Sequence, residues 1–412
     1  MTGAAPAGDA SSTGGRLRRA APTGLLGAMF LMATSAIGPG FITQTATFTG
    51  RLGAAFAFAI VVSILIDIAI QLNVWRIIGV SGLRAQELGQ RVRPGLGVLL
   101  AACVVLGGVA FNIGNVGGAG LGLNTLLGID VRLGAALSAV LAVSIFLVRR
   151  AGAAMDKVVV VLGLLMLGLT AYAAVVSDPP VGQALRETVA PSQIDLVVIT
   201  TLVGGTVGGY ITYAGAHRLV DAGISGRDQV PAITRGSITG ILVTAAMRVV
   251  LFLAILGVVA GGTVLAADNP AGTAFEAAAG EIGRRFFGLV LWAAGLTSVI
   301  GVSYTCVSFI VSFGRRLEQR RNLMVAGFIA LAAVLFLALG QTPTTMLILA
   351  GAINGLILPV GVGILLWVAW RRADLLDGYA YPRALLLVGV LAWLVTLWLA
   401  WSSISQLGTL VT

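Results

Sequence analysis

The chain has 412 residues, 58% apolar and 10% charged, and its 56 glycines and mean hydropathy of +1.00 lie far outside the composition of an ordinary soluble domain. Two cysteines inside apolar runs (Cys103 and Cys306) and a single histidine, His217, exclude a disulfide framework and a tight transition-metal cage, and no cofactor is implied. The net charge of +10 would suit a nucleic-acid partner, but the placement of the charges excludes one.

Residues 1–23, rich in Ala, Gly and Ser around Arg16-Leu17-Arg18-Arg19, read as a disordered cytoplasmic tail; no cleavage site precedes the long apolar run that follows, so they are not a signal peptide. Apolar runs able to cross about 30 Å of hydrocarbon then follow at 24–50, 54–75, 96–126, 133–148, 157–177, 196–217, 238–261, 286–312, 322–340, 345–369 and 384–402. The expected fold is an all-α membrane protein of about eleven transmembrane helices, one transporter domain over 24–402, with a short extracytoplasmic tail at 403–412. With the N-terminus inside, twenty of the 26 Lys and Arg residues fall in the inner loops and five (Arg51, Arg132, Arg186, Arg284 and Arg285) in the outer ones. That bias places the protein in the inner membrane, N-terminus cytoplasmic and C-terminus extracytoplasmic. It also assigns the basic excess to orientation and anionic lipid, making the bilayer the partner and not nucleic acid.

Two spans carry glycine-rich interruptions near mid-bilayer: Gly38-Pro39-Gly40-Phe41 in the first and Gly204 through Tyr210 in the sixth. Unpaired backbone groups at that depth cost several kcal/mol each unless they line a cavity or site, so paired breaks point to a transporter. Breaks five spans apart predict two five-helix inverted repeats, 24–177 and 196–369, with 384–402 appended.

Several stretches resemble the natural resistance-associated macrophage protein (NRAMP) family of metal-ion transporters. Pro39-Gly40 matches the Pro-Gly of the family's first-helix motif, and Gly205-Thr206-Val207 precedes the position of its Met-Pro-His motif. Gln71 to Arg76, Gly79, Ser81-Gly82, Val116 to Ile129, Asp156-Lys157-Val158, Leu358-Pro359, Arg371-Arg372 and Asp374-Leu375 follow in family order. The resemblance implies a LeuT-type fold and alternating access. The family's metal ligands do not carry over: Gly38 and Phe41 replace aspartate and asparagine, Gly208 and Tyr210 replace methionine and histidine, and Asn115 replaces the glutamate of the proton route. No metal ligand is therefore assigned.

Glycines in place of ligand side chains are expected to make room, and Phe41 with Tyr210 to add aromatic walls. Half-helix N-termini after Gly40 and Gly209 offer amides to an anionic group. The expected substrate is a small organic solute: a carboxylate, an amino acid or a lactam acid such as 5-oxoproline. It would be held by Gly38, Gly40, Phe41, Gln44, Thr45, Thr206, Gly208, Gly209, Tyr210 and Tyr213. The hydroxyls among these are equally read as bonding their own helix one turn back.

Two charges lie within the spans. Asp67 and Arg248 fall at similar depths on equivalent helices, where an unpaired charge costs about 3 kcal/mol or more, which favours mutual neutralisation over two separate lipid-facing charges; the sequence does not decide whether they pair. Asp67, Asn115, His217 and Arg248 are the candidates for coupling transport to an ion, with the proton expected and sodium the alternative. The main alternative cargo is a divalent cation (Mn, Mg or Fe type) in an atypical site; a non-transporting receptor or scaffold is more remote. No nucleophile with a base and no metal pair stands at helical spacing, which sets aside an enzyme.

Overall fold

A computed structural model describes residues 24–29, 31–147 and 151–404, and their side chains apart from residues 146 and 151–163. The expected tail at 1–23 and most of that at 403–412 lie outside the described residues; residues 403 and 404 close the last helix. Among the described residues every regular element is a helix. In order come α1 (residues 24–36, residue 30 aside), α2 (Pro39–Leu52), α3 (Phe56–Ser81), α4 (Ala85–Val92), α5 (Leu96–Leu127), α6 (Val131–Leu147), α7 (Ala151–Val176) and α8 (Val181–Val189). Then follow α9 (Leu196–Thr206), α10 (Ile211–Asp221), α11 (Val230–Ala260), α12 (Pro270–Val311), α13 (Arg315–Gln319), α14 (Arg321–Leu339), α15 (Pro343–Arg371) and α16 (Arg383–Ile404).

Among the described residues eight helical stretches are long and apolar enough to cross a membrane, or nine with the bent pair Leu164–Val176 and Val181–Val189. One of the eight, Gly24–Ser81, runs 58 residues; at 1.5 Å per residue it is too long for one crossing and divides into α1–α2 and α3. The shorter apolar helix Val131–Ile145 completes the eleven predicted runs. The 42 residues of α12 also exceed one crossing. Gly280 (φ +65°) interrupts it, and the remainder matches the predicted 286–312. The short amphipathic helices α4, α8 and α13 fall between predicted spans, in stretches that hydropathy reads as loop.

Both breaks are present and shorter than their glycine content suggests. The first is confined to Ile37 and Gly38: Pro39 opens α2 at the first helical position, where a missing N–H costs nothing. The second spans Val207 to Tyr210, with Gly209 at φ +57°. Gly204 and Gly205, expected within the break, belong to α9. They are there for close packing. A methyl at Gly204 would collide with the backbone of Gly351 and Gly355 on α15, and one at Gly205 with the Gln44 side chain of α2.

The α9–α15 seam positions the second break, since Asn354 of α15 sits against Gly209. Replacing Gly355 by Leu forces Thr200 and its helix away, and overpacking of this kind costs about 1–3 kcal/mol. We expect a melting temperature several degrees lower in detergent for Gly355→Leu; an unchanged melting curve would mean that the seam tolerates a side chain.

Candidate functional site

Helices α2 and α9, which flank the breaks, both pack on α15, and every proposed binding residue is buried. Tyr210 donates its hydroxyl to Ser35 O (3.4 Å), crossing from the second break to the first, and packs edge-on against Phe111 at 5.6 Å between ring centroids. Phe41 is buried in the opening turn of α2. The glycines do not leave the expected room. A methyl at Gly38 would stand 2.6 Å from Ser298 Oγ, at Gly40 3.1 Å from Phe111, and at Gly208 2.7 Å from Gly204 and 2.8 Å from Asn354 O. Absent side chains here let neighbours approach, so the space is already taken by protein.

Gln44 is wedged between Gly205 and Gly351; its Nε2 donates to Leu347 O (3.0 Å), while its Oε1 has no partner. Asn354 behaves alike: Nδ2 donates to Gly107 O (3.0 Å) and Ala350 O (2.8 Å), leaving Oδ1 unpartnered beside Gly209. The hydroxyls of Ser35 and Thr45 and the Nδ2 of Asn115 are also buried without partners. A fully buried polar atom without a partner is uncommon and marks where water or a ligand binds. Thr206, in contrast, donates to Leu202 O (2.7 Å) in its own helix, the bland alternative noted above. Tyr213 packs on Phe309 (5.2 Å) and abuts Gly361, away from the breaks. Sequence reasoning missed Ser35, Phe111, Ser298 and Asn354. Only Asn354, a lone amide within the tenth span, carried a visible signal.

The coupling candidates form separate clusters. Arg248 Nη2 donates to Asp67 Oδ2 at 2.7 Å, both side chains 1% exposed, so the favoured pairing of α3 with α11 is present. Gln71 and Thr244, one turn along each helix, lie beside the carboxylate. His217, on α10, bonds Ser308 Oγ through Nδ1 (2.9 Å) and accepts from the Ala85 amide through Nε2 (3.1 Å). Both ring nitrogens are thus engaged in holding α4 and α12 to α10. No carboxylate, thiol or imidazole lies in residues 38–45 or 204–213, and among the described residues no three such groups gather to hold a metal.

Removing one partner of a buried pair strands a charge, at about 3–5 kcal/mol, whereas removing both is close to neutral. Asp67→Asn and Arg248→Met should each destabilise strongly, and the double variant should recover most of the loss in an unfolding titration. Additive effects would mean that the two side chains are not coupled.

Comparison with known proteins agrees with this architecture. Residues 29–406 match the family described as natural resistance-associated macrophage protein-like. The chain is 52% identical over 371 residues to the uncharacterized membrane protein YcsG of Bacillus subtilis, covering 90% of this chain and 91% of that one. It is 50% identical over 376 residues to an uncharacterized membrane protein of Haemophilus influenzae, covering 91% and 94%. Among solved structures it is similar to a manganese transporter of Eremococcus coleocola (TM-score 0.75, 21% identity, covering 98% of this chain and 89% of that one). It is also similar to MhsT in complex with L-phenylalanine (TM-score 0.66, 17% identity, covering 91% and 98%). Both likenesses are of fold.

Proposed function

This chain belongs to the NRAMP family of membrane transporters, and from that premise we propose that it moves a small organic solute, a carboxylate, amino acid or lactam acid, by alternating access through the site between its two broken helices. The observation that carries this reading is the neutrality of the site. At the four positions matching the family's metal ligands stand Gly38, Phe41, Gly208 and Tyr210, and the groups around them are amides, hydroxyls and aromatic rings. A divalent ion must exchange its hydration shell for several strong ligands, usually including carboxylates. An organic anion needs hydrogen-bond donors, and the opening turns of α2 and α10 would offer those amides not already bonded within the chain, as Ile42, Ile211, Tyr213 and Ala214 are.

The second reading is a divalent cation. It is favoured by the solved neighbours that are manganese transporters, and on that comparison it stands better than the organic solute. Backbone carbonyls with Gln44 Oε1 and Asn354 Oδ1 would be its ligands. In either case we take the basic loops to face the cytoplasm and the proton to be the coupling ion, with Asp67 as the first residue to test.

A ligand that binds only the native state at a hundred times its Kd adds about 2.7 kcal/mol to stability. The purified protein should therefore gain several degrees in melting temperature with one member of a panel of small carboxylates, amino acids and 5-oxoproline, and none with manganese or magnesium. Stabilisation by a divalent ion alone would establish the second reading. For the coupling assignment, Asp67→Asn should flatten the pH dependence of uptake into proteoliposomes; an unchanged profile would leave the Asp67–Arg248 pair a purely structural tie.

A further inference from the structure

Helix α10 has eleven residues and is free at both ends, with the Val207–Tyr210 break before it and a turn after Asp221. Its far end is fastened by two rungs that the transport site does not use. His217 and Asp221 lie four residues apart on one face of α10; Ser308 and Tyr304 lie four apart on the stripe of α12 that meets it. The first rung joins His217 to Ser308, and the second carries the Tyr304 hydroxyl to Asp221 Oδ2. The start of α4 closes both. Its Ala85 amide donates to His217 Nε2 and its Arg84 Nη2 to Asp221 Oδ1 at 2.6 Å. Arg321, at the start of α14, adds a second guanidinium to Asp221 at 2.9 Å and lies 4.5 Å over the Tyr304 ring.

Because Nε2 accepts a hydrogen bond, the imidazole proton is on Nδ1 and points to Ser308 Oγ, which itself donates to Thr305 O at 2.6 Å. His217 therefore supplies a fixed neutral rung, and Asp221 supplies the charged one, with one carboxylate holding three donors from three other helices.

We propose that Asp221 is a latch: it fastens the half-helix α10 to α4, α12 and α14 at the end of the protein that bears Arg84, Arg218 and Arg321, and its release opens that end of the transporter in each cycle. The degree of burial separates this cluster from the Asp67–Arg248 pair. Those two side chains are each 1% exposed, so parting them would strand both charges in hydrocarbon. Side-chain exposure at the latch is 8% for Asp221, 14% for Arg84 and 18% for Arg321. There the freed groups are rehydrated as they separate, so the contact can open and close reversibly. The location is also mechanical. Tyr210 of the candidate site stands at the other end of α10, with Gly208 and Gly209 as the joint, so a swing of α10 moves the latch and the site together. The inference rests on the family's transport activity and not on which cargo is carried.

The test needs no substrate. Thr305, 1% exposed and adjacent to Tyr304, is replaced by Cys in a Cys103→Ala, Cys306→Ala background, and a membrane-impermeant maleimide is applied to either side of oriented vesicles. With Asp221 intact the thiol should react slowly from both sides. Asp221→Asn should raise the rate from the Arg84 side on the order of tenfold, the ratio produced by about 1.4 kcal/mol of lost preference for the closed state. Asp221→Glu should stay near the parent. Tyr304→Phe, which removes one hydroxyl and no charge, should give a smaller rise on the same side and covers the case in which Asp221→Asn does not fold. Equal rates for parent and Asp221→Asn in monodisperse protein would overturn the proposal. So would a rise from both sides alike, or an unchanged rate in Tyr304→Phe when Asp221→Asn aggregates.

Discussion

A helix interrupted inside a bilayer exposes backbone amides and carbonyls where no water can meet them, and the centre of this protein is organised around meeting that need. The carbonyl ends of the breaks are closed by side chains drawn from elsewhere. Tyr210 reaches Ser35 O, Ser298 reaches Thr34 O at 3.4 Å, and Thr212 bonds Val207 O across the second break. The chain also folds back on itself: Gly208 N bonds Val203 O at 3.0 Å and Ile211 N bonds Gly208 O at 3.2 Å. Glycines at 204, 205, 351 and 355 then bring α9, α15 and Gln44 close enough to brace the interrupted segments. The breaks, the amides that cap them and the small-residue seams form one interdependent assembly.

How much of this was legible in the sequence depended on the range of the interaction. The eleven spans and both breaks were legible because each is a local pattern of apolar length or of glycine and proline. The two charges were visible as an isolated pair of opposite sign at similar depth, which favoured pairing, but only the three-dimensional structure joins them. The meaning of the glycines was not. Whether a missing side chain leaves a cavity or admits a neighbour depends on which helix lies opposite, and the sequence alone does not place Ser298 over Gly38 or Asn354 over Gly209. The Asp221 cluster was illegible for the same reason: residues 84, 217, 221, 304, 308 and 321 meet only in three dimensions, and of these only His217 stood out in the sequence, as a coupling candidate.

The two buried ionic clusters divide the work of one fold. Asp67 and Arg248 join α3 to α11, the equivalent helices of the two halves, at a depth where parting them with both charges intact is costly. Asp221 joins a half-helix to α4, α12 and α14 closer to the surface, where separated charges can be rehydrated. A transporter that rocks one set of helices against another needs both kinds of contact, and the chain places the strong one deep and the weaker one at the rim.

The same bookkeeping of backbone groups bears on the cargo. At each break one helix ends and another begins, so carbonyls with a partial negative charge and amides with a partial positive one face the same space, each end equivalent to about half an elementary charge. If both were free the site would be amphoteric. Here Ser35 O, Thr34 O and Val207 O already accept side-chain donors, which blunts the negative ends. The positive ends are blunted as well: Pro39 has no N–H to offer, and Ile42 N bonds Gly38 O, Ile211 N bonds Gly208 O, and Tyr213 N and Ala214 N bond Tyr210 O. No acidic or basic side chain stands in either break. A cargo held there would therefore meet backbone ends of both signs, and the unpartnered oxygens of Gln44 and Asn354 remain to receive any donor it carries.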